Sequence, residues 1–138
     1  MFASKDFFSS NIRKLAKEYN LSIVILFGSQ VDGRVHPKSD LDIAVVRNDQ
    51  SLELNLIRLI SDLIHIFNND RVDLVDLTHA DPLLLFATAS KSRLLSGEEK
   101  DYENLLLRAY LRYSDYIPYL DMERDFVLGK LKDYVATR

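Results

Sequence analysis

The chain has 138 residues, 47% hydrophobic and 28% charged, which is the size and balance of one globular domain with a real core. Lysine and arginine number 18 against 21 aspartates and glutamates, a net charge of −3, so a broad basic face for nucleic acid is excluded while a metal-assisted nucleotide site is not. The absence of cysteine removes disulfides, thiolate metal sites and cysteine nucleophiles. No apolar run is long enough to span a membrane, and the early charges of Met1-Phe-Ala-Ser-Lys-Asp do not form a signal peptide, so a cytoplasmic protein with no membrane partner is expected.

In chain order, Phe7, Ile12, Leu15 and Ala16 sit at helical spacing and predict a helix over about 6–19, stopped by Asn20. Leu21-Ser-Ile-Val-Ile-Leu-Phe27 is short, β-branched and apolar, and reads as a buried strand ending at Gly28-Ser29. The polar stretch 30–39 is a loop or short helical turn. Asp40-Leu-Asp-Ile-Ala-Val-Val46 predicts a second strand. Leu52, Leu56, Leu59, Ile60, Leu63, Ile64 and Phe67 recur every three or four positions, which predicts an amphipathic helix over 51–67. Arg71-Val-Asp-Leu-Val-Asp-Leu77 reads as a third strand.

Asp81-Pro82 then opens a short helix to about Ala89. Leu94-Leu95 reads as a brief extended piece, and a helix follows over about 99–116. Pro118 predicts a break before a last helix to about Tyr134. The expected fold class is α/β: a small mixed sheet with three core strands, flanked by helices, and a helical C-terminal third over about 98–138, all in one domain.

Chemistry concentrates in the carboxylates. In a strand, Asp40 and Asp42 point to one face about 6–7 Å apart and repel each other. Asp73 lies inside the third strand, where aspartate is disfavoured and a charge is costly unless paired or metal-bound. Three such aspartates suit hard divalent cations, which take oxygen ligands. Gly28 at a strand end lets the backbone approach an anion, and the Ser29 hydroxyl and following N–H groups can donate to phosphate oxygens. A phosphate cradle beside paired carboxylates suits two-metal nucleotidyl transfer.

The motif Gly28-Ser29, ten residues, Asp40-Leu41-Asp42, within FGSQVDGRVHPKSDLDIAVV, resembles the signature of the DNA-polymerase-beta-like nucleotidyltransferases. The short length and the VDLVDL strand make the chain similar to the MNT minimal nucleotidyltransferases, the antitoxins of HEPN–MNT toxin–antitoxin pairs of the type VII kind. The resemblance covers about Leu21 to Leu77. It implies the minimal nucleotidyltransferase fold and Asp40, Asp42 and Asp73 as catalytic ligands of Mg²⁺, two ions in all. It implies Gly28 and Ser29 as the nucleotide contacts and ATP as substrate. The implied activity is protein adenylyltransfer, moving AMP onto a tyrosine of the partner HEPN RNase toxin in a hetero-oligomer and silencing it, with no direct nucleic-acid contact. Many relatives follow Gly-Ser with Arg-Ala-Arg-Gly; here Gln30-Val31-Asp32-Gly33 stands instead, with Arg34, His36 and Lys38 as nearby basic residues. Two other functions fit the same motif: a non-catalytic antitoxin that neutralises by binding, and a small-molecule nucleotidyltransferase.

The remaining polar residues take plainer roles. His65 belongs on the solvated side of its helix, His36 lies within reach of phosphate, Asp76 faces away from Asp73 at a strand end, and Arg47 is a surface charge. Five of the seven tyrosines fall between Tyr102 and Tyr119. Tyr110, Tyr113 and Tyr116 read as a core-facing stripe with hydroxyls at the rim, or as part of a binding surface.

Overall fold

A computed structural model describes residues 5–28, 40–49 and 53–136. Helix α1 (Lys5–Glu18) leads into strand β1 (Leu21–Phe27), with Asn20 in the left-handed region at φ 55°. Asparagine tolerates that conformation, so it ends the helix and turns the chain into the sheet. Strand β2 (Leu41–Arg47) is followed by helix α2 (Leu56–Phe67) and strand β3 (Val72–Asp76). Helix α3 (Pro82–Ala89), strand β4 (Ser92–Ser96) and helix α4 (Glu99–Ala136) complete the chain.

The strands form one sheet in the order β3-β2-β1-β4. β1 runs antiparallel to both β2 and β4, while β2 and β3 are parallel. A parallel pair needs a crossover, and α2 supplies it. On one face Val24, Leu26, Leu41, Ile43 and Val45 pack under α1 and α2 through Ile12, Leu15, Leu59 and Leu63. On the other, Ile23, Ile25 and Ala44 pack against Leu85, Ala89, Leu105 and Ala109 of α3 and α4. Ile25, Ile43 and Val45 are fully buried, each contributing about 1.5–3 kcal/mol relative to exposure. Two covered faces explain why the central strands read as nearly continuous apolar runs.

The structure revises three expectations. The sheet has four strands, because the Leu94-Leu95 piece is a full edge strand paired to β1. Helix α2 starts at Leu56, not at Ser51: Asn55 caps it by accepting a hydrogen bond from the Arg58 N–H at 3.1 Å, so the apolar periodicity runs ahead of the helix. Pro118 does not break α4, which runs unbroken through it. Pro118 and Ser114 are both exposed, so the carbonyl that loses its helical donor faces water. No helix among the described residues is long and apolar enough to cross a membrane.

Tyr19 ties the two helices on one face together. Its hydroxyl donates to Asp62 Oδ2 at 2.5 Å, and its ring packs on the core beneath. Burial, then the bond to and charge of Asp62, push the phenol up to about 12. Because the folded state holds this proton more tightly than the unfolded chain, the contribution is complete below pH 10 and is lost as pH rises toward 12. Tyr19→Phe should therefore cost about 1 kcal/mol at neutral pH and flatten the alkaline fall in stability between pH 10 and 12, as read by denaturant titration across pH.

Candidate active site

The antiparallel pairing of β1 with β2 places the end of β1 beside the start of β2: Phe27 lies opposite Asp42. The parallel pairing of β2 with β3 places Asp73 opposite Asp42. Asp42 shares its strand face with Ala44, and Asp73 with Val75, so both carboxylates leave the sheet on the α3/α4 face. Asp40 stands just before β2 and is exposed. The backbone here is fixed by Leu41 N–H donating to the Arg71 carbonyl at 2.8 Å, which aligns the start of both strands.

The electrostatics of this corner are unfavourable. Burial first, then the charges of Asp73 and Asp40, and a carboxyl–carboxyl hydrogen bond with Asp73, raise the Asp42 carboxyl above its ordinary value. Adjacent like charges at a strand opposition are destabilising. Among the described residues no group of three acidic or imidazole side chains closes into a formed metal cage. Asp42 and Asp73 form the tight pair, and Asp40 joins them through its charge. The oxygen-only donors and their mutual repulsion fit a hard divalent cation, which would relieve the strain.

Gly28 has a second role that the sequence did not show. Its φ is +83°, and a Cβ there would run into the Asp42 carboxylate, with the carboxyl carbon only 3.3 Å away. The missing side chain therefore makes room for Asp42 as much as for an incoming phosphate. Ser29, Arg34, His36 and Lys38 lie outside the described residues.

The sequence also missed the polar clamp beside this corner. Ser92, opposite Phe27 on β4, donates from its hydroxyl to the Ala89 carbonyl at 2.7 Å. The Tyr102 hydroxyl lies 2.7 Å from the Ser92 hydroxyl and donates to the Ser92 carbonyl at 3.0 Å. The clamp joins α3, β4 and α4 next to the end of β1. A serine opening the short strand Ser92-Arg-Leu-Leu-Ser96 was its only sequence signal.

Elsewhere, Asp76 takes the strand-end role expected of it, accepting from the Thr78 N–H and hydroxyl at 3.0 and 2.6 Å. Arg47 is a correction: it is half-buried and paired to Asp76 at 2.9 Å. His65 is exposed in the last turn of α2. The tyrosines divide: Tyr113 stacks on Phe86 at 4.0 Å and Tyr116 is half-buried, whereas Tyr110 and Tyr119 are exposed.

Residues 10–101 match the polymerase beta nucleotidyltransferase family. The chain is 31% identical over 118 residues to the protein adenylyltransferase MntA of Shewanella oneidensis, covering 86% of this chain and 81% of that protein. It is 29% identical over 100 residues to MntA of Aphanizomenon flos-aquae, covering 66% and 67%. Among solved structures, a toxin–antitoxin complex with AMP-PNP aligns at a TM-score of 0.67 and 30% identity, over 90% of this chain and 98% of that one. A tri-AMPylated Shewanella oneidensis HEPN toxin in complex with MNT antitoxin aligns at 0.64 and 26%, over 94% and 99%. The chain belongs to the polymerase-beta nucleotidyltransferases, and within them to the MntA protein adenylyltransferases.

Two substitutions test the corner. Asp42→Asn removes one like charge and leaves an amide that can donate to Asp73. Without metal it should raise the melting temperature by about 2–4 °C, as seen by scanning calorimetry. Gly28→Ala should cost about 1–3 kcal/mol, and much of that cost should vanish in an Asp42→Ala background, measured as a double-mutant cycle.

Proposed function

We propose that this chain transfers AMP from ATP to a tyrosine hydroxyl of a HEPN-family RNase toxin, and so acts as its antitoxin. The Asp42–Asp73 pair carries the reading, since two adjoining carboxylates at a sheet corner destabilise the protein unless they hold cations. Its family membership supplies the reaction class, and the AMPylated toxin bound to a related antitoxin supplies the acceptor class.

Asp40, Asp42 and Asp73 would hold the Mg²⁺ ions, two for this chemistry. When bound, such ions lower the pKa of an attacking hydroxyl and neutralise the triphosphate. Gly28 and Ser29 would contact the phosphate oxygens through backbone N–H groups and the Ser29 hydroxyl. The acceptor oxygen bonds to the α-phosphorus as the bond to the pyrophosphate oxygen breaks. The hydroxyl proton leaves, and pyrophosphate departs. Holding acceptor and ATP at one corner makes the step effectively intramolecular. Asp40 and Asp73 are exposed at this end of the sheet, the side from which a tyrosine carried on another protein would approach.

Intact mass spectrometry of the toxin after incubation with this chain, ATP and Mg²⁺ should show gains of whole AMP units. Asp42→Asn, Asp73→Asn or a chelator should lower transfer by at least about 100-fold, while the complex still forms. Transfer retained in Asp42→Asn sinks the site assignment. A toxin silenced equally by all variants without a mass gain shows occlusion instead.

A further inference from the structure

Helix α4 has 38 residues, about 57 Å, and among the described residues only its first half is buried against the body of the protein. Leu105 and Ala109 are 3% and 2% exposed, and Tyr113 stacks on Phe86. Every residue from Asp121 to Ala136 is exposed. The apolar face nevertheless continues. Val127, Leu131 and Tyr134 follow Leu120 at seven, eleven and fourteen positions, which keeps them on the same side of the helix as Ala109, Tyr113 and Tyr116. Val127 and Leu131 are 49% and 53% exposed. A projecting stretch of about four turns interrupted by Gly129 is marginal as an isolated helix, so it needs a cover.

Its charges indicate which cover fits. Acidic residues dominate before Val127 (Asp121, Glu123 and Asp125, with Arg124 paired among them), whereas Lys130 and Lys132 outnumber Asp133 after it, so the two halves carry opposite net charge. Glu123 and Lys130 flank the apolar stripe on one side, four residues before and three after Val127. Lys130 lies over the Phe126 ring at 5.4 Å, and neither it nor Glu123 has an ion-pair partner among the described residues. A segment with opposite charge in its two halves is complementary to itself when turned end for end.

We propose that the projecting half of α4 pairs with the same segment of a second copy of this chain, antiparallel and centred on Val127. In that arrangement Val127 meets its own counterpart at the two-fold axis. Leu120 of each copy faces Tyr134 of the other, and Glu123 faces Lys130 twice. This is an isologous interface, in which every contact is made in duplicate. A parallel pairing would set acid against acid and base against base. The inference rests on α4 alone and stands apart from the adenylyl-transfer reading.

Sedimentation velocity of the full chain should show a monomer–dimer equilibrium, the dimer dominant by about 100 μM, as befits a small interface. Val127→Glu places two like charges at the axis and should weaken the dimer about 100-fold. Glu123→Lys and Lys130→Glu should each weaken it about tenfold, and the double exchange should restore it. Circular dichroism verifies that each variant retains its helix. A wild-type monomer at every concentration overturns the proposal, as does a dimer indifferent to Val127→Glu. So does a double exchange that fails to recover. If the chain alone is monomeric and Val127→Glu instead weakens its complex with a HEPN toxin, this face belongs to the toxin and the dimer is refuted.

Discussion

The opposition of Asp42 and Asp73 across the parallel β2–β3 pair is the constraint on which this structure turns. It exists only because the two strands start level, and they start level because α2 returns the chain to the same end of the sheet. Burying Leu59 and Leu63 of α2 beneath Ile43 and Val45 holds that register, since a one-residue slip would move apolar side chains to the wrong face. The core on both faces thus offsets a local repulsion that the pair alone could not sustain. Raised protonation of Asp42 in the metal-free protein is the residue of that conflict.

The two ends of the sheet show how similar groups are handled for different purposes. At the far end, Arg47 meets Asp76, whose other bonds come from Thr78, so the carboxylate there has a cation and donors within the chain. At the near end, carboxylates face each other and a glycine is retained to make room for one of them. A fold optimised for stability alone would treat both ends in the first way. Ser92 and Tyr102 brace the strained end by joining β4 and α4 beside it.

Much of this was legible in the residues, because local rules and the global fold agree there. The β1 bounds, the cap at Asp81 and the face shared by Asp73 and Val75 all follow from periodicity and capping chemistry. The aspartates at the start of the second strand and inside the third stood out in the sequence, and the sheet register brings Asp42 and Asp73 opposite each other. What escaped were facts of three dimensions. Nothing in the sequence places Arg47 against Asp76, which are 29 positions apart, or Gly28 against Asp42. The Asn55 cap outweighs the apolar repeat before it, and Pro118 is harmless only because its helix face is solvated at that point.

Helix α4 carries the same lesson further. Its three-and-four spacing reports a face that must be covered, and that face resumes after Leu120 at Val127, Leu131 and Tyr134. In the first half the cover is α3 and the sheet, so the repeat translates directly into a core. In the second half no element among the described residues reaches it, and charge composition adds what periodicity leaves open. A net negative charge before Val127 and a net positive one after it set a direction for whatever binds, which an unbiased apolar stripe would not. The separation has a chemical consequence. The carboxylate corner is built on strands and fixed by the two-faced core, whereas the assembly surface is carried on a helix that extends past that core. Changes in association can therefore arise along residues 121–136 without disturbing the register that brings Asp42 and Asp73 together.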